Sequence, residues 1–578
     1  MNKGSIGKLK SRLNIVDLAG LILAWSVIIV LFCVMPLYHK DGYSMISTLK
    51  YKVIMRCGFY ALIAASIVFL FKIFDCIIEK KFYLYINKAK ETDLFMILFV
   101  FLGIISNSCC TVYSDLTNPE VPWFKEGSLY GQKGWYMGLA SYLVFFLFYL
   151  ILSRCMPFSR YIFIPVIAVA LFTFWWGINN VYTLVPRVTI ALPLALGPRG
   201  MYLSKLYFAL DMKFDYKSAG GFISSMGNIN WFCGYTSVVA PIIWGLYIDA
   251  KKKWEKAVLI VSAFISLHMI MVNGSDSGLF ALVVTMIALL IFAIGDKEKL
   301  LNDLEILAVM FLAGALVGFV DKTEKIPRLY RISVLEKVYG FPSLVMLFIV
   351  IAIYVFLKAR KEKFNVKAAV IVRNIAMIGI GVSFVLYVIL TAVNTVNGGK
   401  VPIIGTRPEF IFSDSWGSSR GITWKTGLKG FSLLSGEKKF IGSGPDMFYY
   451  SLLQIPNEEL QKMIAYFGGQ RLTNAHNEWI TLLVNNGILG LGAFIALTFT
   501  GIKKCLTYAK DHPGLICVAL SLISYTANNM FSFATMMNTP LFFAMLGLGM
   551  AALRDSEKPS PQNVRSHAAP KKRKAHKH

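Results

Sequence analysis

This chain of 578 residues has 56% hydrophobic residues and a mean hydropathy of +0.59, which excludes an ordinary soluble globular protein. Its 59 lysine and arginine residues against 32 aspartate and glutamate residues give a formal net charge of +27. In a membrane protein such a surplus is interpreted by its position beside the spans, so nucleic acid is not the expected partner. The spacing of the nine cysteines indicates neither a disulfide framework nor a metal site.

Apolar runs of about 20 residues recur along the chain and predict an all-α, polytopic membrane protein with about fourteen transmembrane helices. The first run, Val16 to Tyr38, has no convincing small-residue cleavage site and is expected to stay as a span rather than act as a signal peptide. The expected spans are 16–37, 54–75, 93–113, 136–154, 160–180, 231–249, 257–274, 277–295, 303–320, 342–357, 369–393, 488–506, 514–533 and 536–553.

Lysine and arginine are concentrated in every second connection between these spans, which places those connections and both termini in the cytoplasm. The segments Gly221–Asn230 and Asn273–Gly278 and a long polar loop are then all expected on the outer face. The expected regions are N-terminal transmembrane helices (1–180), central transmembrane helices (181–393), an extracytoplasmic catalytic loop (394–475), C-terminal transmembrane helices (476–553) and a basic cytoplasmic tail (554–578).

The long loop contains arginines in a setting that favours anion binding. Ser418 or Ser419 is a suitable N-cap, so Arg420 is expected to open a short helix that runs to about Phe431. An arginine in a first turn lies beside free backbone N–H groups, and both attract phosphate. The alternative is that Arg420 forms a surface salt bridge or extends to the membrane interface.

The loop ends in Asn474-Ala475-His476-Asn477, and the helix that follows leads into the membrane. Asn474 is a candidate cap for that helix, and Asn486-Gly487 is its expected end, so His476 should lie in the first turn. A neutral imidazole can take a proton from an attacking hydroxyl at neutral pH. Capping or packing is the alternative role for His476, and Glu478 is a weaker candidate base.

Several motifs resemble the signature of the O-antigen ligase and O-antigen polymerase superfamily of bacterial membrane glycosyltransferases. The resemblance covers roughly residues 222–553, while the first five spans match only in topology. The motifs are Ser418-x-Arg420-x-x-x-Trp424, Gly442-x-Gly444, His476-Asn477, Gly487-x-x-Gly490 and Gly227-Asn228-Ile229-Asn230-Trp231.

The resemblance implies transfer of a saccharide from a polyprenyl diphosphate carrier, such as undecaprenyl diphosphate, to a hydroxyl of a glycan, lipid or protein. The reaction would occur at the outer face of the bacterial cytoplasmic membrane, by ligation or polymerisation of a surface polysaccharide, with no nucleotide sugar, metal or other cofactor. Arg420 would hold the diphosphate, and His476 would act as base or orient the acceptor. Further candidates for substrate binding are Arg407, Arg471, Arg199, Asn228 and Asn230.

One position departs from the family pattern, because Asp276 stands where many relatives carry an arginine. A carboxylate there would repel a diphosphate. Either this turn faces the acceptor, or positive charge comes from elsewhere in the chain. The candidate sources are Arg187, Arg199, Lys205, Arg407 and Arg471. Asn228 and Asn230 have an alternative role as caps of a span.

Other functions remain open. A transporter or flippase of lipid-linked saccharides fits the number of spans, but the spans after Trp231 are interpreted as nearly free of charge except Arg373, and no two halves match. A non-catalytic sensor or scaffold and a peptidoglycan-type polymerase are the further alternatives. His268, inside a span, is expected to be a hydrogen-bonded core residue.

Overall fold

The computed structural model describes residues 15–39, 46–78, 87–110, 124–182, 222–322, 338–360 and 365–557. These residues are mainly helical, with one two-stranded antiparallel hairpin formed by β1 (Phe222–Ile223) and β2 (Gly227–Asn228). The helices before the hairpin are α1 (Ile15–Leu37, π-helical over Ile29–Val34), α2 (Ile46–Ile78), α3 (Lys90–Ser108), α4 (Phe124–Tyr130), α5 (Leu139–Cys155) and α6 (Phe163–Tyr182).

The remaining helices follow the hairpin in two groups, separated by a loop with short helices of its own. The central group is α7 (Ile229–Ile248), α8 (Lys253–Asn273), α9 (Asp276–Ala293), α10 (Lys297–Lys322), α11 (Phe341–Ala359) and α12 (Val366–Val396). The loop helices are α13 (Trp416–Leu433), α14 (Gly436–Ile441), α15 (Phe448–Leu452) and α16 (Asn457–Tyr466), and the last helices are α17 (Glu478–Tyr508), α18 (Leu515–Asn528) and α19 (Thr539–Glu557).

The prediction of an all-α fold is confirmed for the described residues, and their apolar helices support the prediction of a multi-pass membrane protein. Every expected span coincides with a helix. By length and apolar composition, 10 helices among the described residues can cross a membrane, and α5 and α18 are shorter apolar helices. The number of fourteen spans therefore stays a prediction.

The centre of the bundle is built from α5, α7, α18 and α19, and helix α7 is buried along almost its whole length. Close backbone approach is possible because small residues lie at the contacts, as is usual between helices in membranes. A Cβ atom on Gly245 would stand 2.9 Å from the Cα atom of Cys517, and one on Gly547 would stand 3.0 Å from the carbonyl oxygen of Tyr149. These glycines set the spacing of the central helices.

The polar segments meet at one end of this bundle. The Ser275 hydroxyl donates to the Asn230 side chain at 2.8 Å, and the Ser418 hydroxyl donates to the Asp276 carboxylate at 2.9 Å. The hairpin turn, the turn before α9 and the long loop therefore share an end, as their alternation along the chain predicts. Which face of the membrane this end occupies stays a prediction.

The loop between α12 and α17 is a folded unit rather than an extended connection. Its short helices enclose a second apolar core, separate from that of the spans. The buried members of this core are Phe448, Leu452, Ile455, Leu460, Met463, Leu472, Ala475 and Val484. Because Val484 belongs to α17, the unit is anchored directly on a long helix of the bundle.

Candidate functional site

The chain reverses direction just before Arg420. Gly417, Ser418 and Ser419 have φ angles of 59°, 59° and 70°, a left-handed run that is costly for residues with a side chain. The reversal also brings Gly421 close to Ser413. A Cβ atom on Gly421 would lie 1.8 Å from the carbonyl oxygen of Ser413. Such a conformation holds Arg420 in a fixed position at the first regular turn of α13.

The predicted N-cap at Ser418 or Ser419 is wrong, because both serines are in the left-handed run and neither side chain caps the helix. The Ser418 hydroxyl bonds instead to Asp276, and the Ser419 hydroxyl bonds to that of Tyr466 at 3.1 Å. The predicted helix itself is present and ends at Leu433, close to the expected end.

Arg420 is a buried cation with only neutral partners among the described residues. Its side chain is 7% exposed; Nε donates to the carbonyl oxygen of Phe531 at 2.8 Å, and Nη1 donates to that of Gly417 at 2.7 Å. Two of the five N–H donors of the guanidinium are thereby used. No carboxylate in the described part of the chain forms an ion pair with it. Burial lowers the pKa of Arg420, and the charge of Asp276 opposes that shift.

Aromatic rings surround this guanidinium. It lies 5.8 Å from the ring centroid of Phe531, which stacks on Trp424 at 5.8 Å and contacts Phe280 edge-on at 5.0 Å. Trp416 packs edge-on against Trp424 at 5.4 Å. Rings exclude water from the charge, so electrostatic interactions made by Arg420 are stronger than they would be at an open surface.

His476 lies immediately before α17, not in its first turn as predicted. Asn477 caps the helix, because its side chain accepts from the backbone N–H of Ile480 at 3.1 Å. The predicted cap, Asn474, instead accepts from the backbone N–H of His476 at 3.0 Å, and His476 has a left-handed φ of 49°. Two successive asparagine turns therefore replace the single expected cap, which sequence spacing alone does not distinguish.

The His476 ring is partly buried and stands edge-on to Phe533, with 5.0 Å between the centroids. Within the described ranges, neither ring nitrogen has a hydrogen-bond partner. Burial and the nearby charge of Arg420 lower the pKa of His476 to about 4, so the imidazole is neutral at pH 7. The structure thus brings the two principal site residues of the sequence analysis together.

A turn between α18 and α19 joins the two side chains. Phe531 contacts Arg420, Phe533 contacts His476, and Asn529 accepts the backbone N–H of Glu478 at 2.9 Å. The sequence analysis missed this turn because it assigned most of the segment 529–538 to two spans. Asparagines at its two ends, in an otherwise apolar stretch, are the signal that could have found it.

Beside His476 is a small polar cavity of about 20 Å³ that contains two carboxyl groups, those of Asp446 and Glu478. The Asp446 carboxylate accepts the backbone N–H groups of Gln132 at 2.6 Å and Met137 at 3.1 Å, and burial raises its pKa to about 7. Glu478 accepts the backbone N–H of Ala534 at 2.7 Å. The sequence analysis gave Asp446 no role and named Glu478 only as a weaker candidate base.

Two glycine motifs of the sequence analysis position Asp446. Gly487, with a φ of 70°, interrupts α17 without ending it, so the expected helix end at Asn486-Gly487 is a kink. The turn Gly442–Gly444 fits into this kink: Ser443 N–H donates to the Val484 carbonyl at 3.1 Å, and Gly444 N–H donates to that of Asn485 at 2.9 Å. A Cβ atom on Gly487 would lie 2.3 Å from the Phe440 carbonyl oxygen, so only glycine fits.

The other candidate residues lie apart from this pair or have structural contacts. Arg407 is exposed, and Arg471 is exposed with its guanidinium 5.4 Å from the Tyr449 ring centroid. Asn228 caps α7 by accepting from the N–H of Asn230 at 2.8 Å, and Asn230 accepts from Ser275. Arg187, Arg199 and Lys205 lie outside the described residues.

Asp276 lies close enough to Arg420 for their charges to interact, yet it forms no ion pair with it among the described contacts. The Ser418 hydroxyl holds the Asp276 carboxylate, so the carboxylate moderates the positive potential of the site without neutralising it. His268 is buried and hydrogen-bonded to the Tyr182 hydroxyl at 3.1 Å, as predicted for a core residue.

The arrangement can bind an anion at Arg420 and a polar group at the neutral imidazole of His476, both at one end of an apolar helix bundle. Searches of protein-family models and of curated proteins find no match to this chain.

Proposed function

We propose that this protein is a membrane glycosyltransferase that moves a saccharide from a polyprenyl diphosphate carrier to an acceptor hydroxyl, in the manner of O-antigen ligases and polymerases. The observation that carries the proposal is the buried guanidinium of Arg420, which has donors to spare and no carboxylate partner among the described residues. A buried, unpaired cation is costly, so a site that keeps one is suited to an anionic ligand.

Departure of a diphosphate concentrates negative charge on the leaving oxygen as the glycosidic bond breaks. Arg420 has three N–H donors beyond the two that bond to carbonyl oxygens, enough for a forked contact with a phosphate. Because the surrounding rings exclude water, the donors are held in place before the reaction and stabilise the growing charge without rearrangement.

His476 supplies a neutral imidazole beside that charge. With its pKa lowered to about 4, it stays neutral across physiological pH and can accept or donate a hydrogen bond to a sugar hydroxyl. Its left-handed backbone, fixed by Asn474, keeps the ring against Phe533. We assign His476 to orienting the acceptor.

Among the described residues, ten helices are long and apolar enough to cross a membrane, which suits a carrier that remains in the bilayer while its diphosphate reaches the polar end of the bundle. We propose that this end faces outward from the bacterial cytoplasmic membrane, with both termini and the tail inside, because the connections rich in lysine and arginine alternate with it. Single cysteines introduced at Arg407 and at Lys252, in a variant whose nine native cysteines are replaced by serine or alanine, and labelled with an impermeant reagent test this orientation: only the first should react from outside.

A second candidate function, proton-coupled export of the lipid-linked saccharide, is favoured by Asp303. Asp303 and Glu305 both lie within a predicted span. Their presence contradicts the interpretation that the spans after Trp231 are nearly free of charge except Arg373. Asp303 is fully buried, and neither carboxyl oxygen has a hydrogen-bond partner in the described part of the chain. Ionisable groups within a membrane often mark proton pathways.

Purified protein in liposomes, supplied with a labelled lipid-linked oligosaccharide, distinguishes these functions. A ladder of longer glycans without added acceptor indicates a polymerase, and product only after a foreign acceptor is added indicates a ligase. Arg420→Ala should abolish either product, whereas Asp303→Asn should leave it unchanged. Movement of intact donor across the bilayer, lost in Asp303→Asn and accompanied by no covalent product, would replace the proposal with export.

A further inference from the structure

The small cavity beside His476 has no role in holding the diphosphate, since it is lined by acidic and neutral groups. Its polar lining comes from α5, the Gly442–Met447 turn, the end of the loop and α17. The lining residues that matter here are Trp135, Asp446, Asn474, Glu478, Asn485 and Phe533. Asn474 and Phe533 also contact His476, so the cavity and the imidazole share a wall.

Several polar atoms of this lining have no protein partner. One oxygen of the Asp446 carboxyl and one of the Glu478 carboxyl accept backbone N–H groups, while the second oxygen of each has no hydrogen bond among the described residues. The Asn485 residue is 6% exposed, and its amide oxygen is buried with no hydrogen-bond partner in the described part of the chain. Buried acceptors of this kind are normally satisfied, so their presence in one cavity indicates a ligand that donates hydrogen bonds.

The volume limits what that ligand can be. About 20 Å³ holds one group of the size of a water molecule and excludes a sugar ring. A single hydroxyl group, presented by a larger molecule that stays outside, satisfies both the size and the demand for a donor. The rings of Trp135 and Phe533 pack edge-on, with 4.8 Å between their centroids. They form an aromatic border at the cavity against which such a molecule can lie.

The two carboxyls are also suited to take a proton. Asp446 is 6% exposed and Glu478 is 3% exposed, and no cation in the described residues pairs with either. Two buried carboxyls whose charges interact are costly to ionise together. Among the described residues, the other titratable groups that interact with Asp446 are Tyr142 and Tyr450, and those that interact with Glu478 are Tyr142 and Tyr525. Arg471 lies behind Tyr450, and His476 lies beside the shared wall.

His476 itself is a poor proton acceptor in this setting. An imidazole whose pKa is lowered to about 4 by burial and by the charge of Arg420 has little affinity for a proton at pH 7. The pKa of Asp446, raised to about 7 by burial, is much closer to the working pH. The two roles assigned to one histidine by the sequence analysis, orientation and proton removal, therefore separate in space.

We propose that the attacking hydroxyl of the acceptor enters the Asp446–Glu478 cavity and transfers its proton to this carboxyl pair. The inference rests on the proposed function and names a further catalytic pair for it. As the acceptor oxygen forms its bond to the sugar C1 atom, the bond from C1 to the diphosphate oxygen breaks. The diphosphate leaves with that electron pair onto Arg420, and the acceptor proton moves to the ionised carboxyl, so atoms and charge balance.

Asp446→Asn and Glu478→Gln test the pair without removing its structural contacts. Each amide retains a carbonyl oxygen that can accept the same backbone N–H groups, but neither can take a proton at neutral pH. Asp303→Asn is the matched control, because it also neutralises a buried carboxyl, near the beginning of α10 and outside the cavity. Transfer is measured from pH 5 to pH 9, together with donor binding and the thermal midpoint.

In the unmodified protein, transfer should rise with pH as the pair ionises around pH 7 and then level off, because the charged form is the base. Asp446→Asn and Glu478→Gln should each lower transfer by about 100-fold or more and flatten this rise, while donor binding and Asp303→Asn activity stay unchanged. The residual activity of His476→Gln should keep the rise.

Three results would overturn the inference. If Asp446→Asn and Glu478→Gln retain near-normal transfer with an unchanged pH profile, the carboxyl pair is not the base. The proposed function would remain intact. Loss of the pH rise in His476→Gln alone makes the imidazole the base, and this measurement decides the question even if a cavity variant does not fold. Absence of any product from the unmodified protein rejects the proposed function and the inference together.

Discussion

Two buried cations, Lys50 and Arg420, have opposite relations to their surroundings. The Lys50 ammonium is fully buried and donates to the carbonyl oxygens of Met35 at 2.5 Å, Pro36 at 3.1 Å and Tyr38 at 2.8 Å. All three of its donors are thereby used. Arg420 uses two of five donors in a similarly buried position.

The difference indicates which buried charge is structural and which is available for a ligand. Lys50 belongs to α2, and its ammonium lies at the C-terminal end of α1, where carbonyl oxygens have no partner within the helix and the helix dipole favours a cation. Two carbonyl oxygens fix the orientation of the Arg420 guanidinium, which still has unused N–H donors. Burial alone does not separate the two roles; the count of unused donors does.

The largest effect is expected from Arg420→Ala. It removes the donors that, under the proposed function, stabilise the leaving diphosphate, and transfer should fall by about 100- to 1,000-fold. The protein should still insert and fold, because the two carbonyl groups that Arg420 contacts, those of Gly417 and Phe531, lie in turns and not within a span. Transfer of labelled saccharide, with the thermal midpoint as control, measures this, and retention of more than about a third of normal transfer would contradict the assignment.

A smaller loss is expected from Arg420→Lys. Lysine restores the charge but not the planar fork, so it can replace one contact and present a point charge to the phosphate. Transfer should fall by roughly tenfold, between the values for arginine and alanine. If lysine is equivalent to alanine, geometry rather than charge is decisive; if it is equivalent to arginine, the forked contact is not used.

Asp276→Asn should strengthen anion binding at Arg420. The carboxylate acts on Arg420 and opposes an incoming phosphate, so its neutralisation should tighten the binding of inorganic pyrophosphate by several-fold. Fluorescence of Trp416 and Trp424, which pack around Phe531, is a suitable readout. The gain should shrink at high salt, and weaker binding in this variant would place the anion elsewhere.

Lys50→Met should have the smallest effect on transfer, because the transfer rate per folded molecule should not change. Methionine fills a similar volume but leaves three buried carbonyls without a donor, so the free energy of unfolding should fall by about 2 to 3 kcal/mol. The thermal midpoint in detergent measures this loss. Reduced transfer at full stability would show that Lys50 influences the site and that the comparison is incomplete.

The sequence predicts the helices well because uninterrupted apolar runs demand them, and every expected span has a helix. Details at the ends of helices are predicted less well. Ser418 and Ser419 are good caps by composition, but the left-handed run there depends on contacts with Asp276 and Tyr466, distant in sequence. The capping choice between Asn474 and Asn477 likewise depends on which side chain reaches a free N–H group.

Arg420 and His476 of the candidate site can be selected from motif and residue chemistry, whereas the residues that surround them cannot. Phe531 and Phe533 lie in a short turn that the hydropathy pattern merges into spans. Asp446 gains its place only when the kink at Gly487 receives the Gly442–Gly444 turn. Such contacts between distant segments leave no local pattern.

Helix α12 is the most weakly integrated long element: of its 31 residues only Thr391 and Asn394 are buried, near its C-terminal end. There, Asn394 donates to the carbonyls of Gly405 and Phe410, on the segment that leads to Arg420. At about 46 Å the helix exceeds a hydrocarbon core of about 30 Å, so it must tilt or protrude. Because few of its side chains pack on the rest of the described chain, a change in the tilt of this helix would move Asn394 and, through its two amide hydrogen bonds, the segment before Arg420.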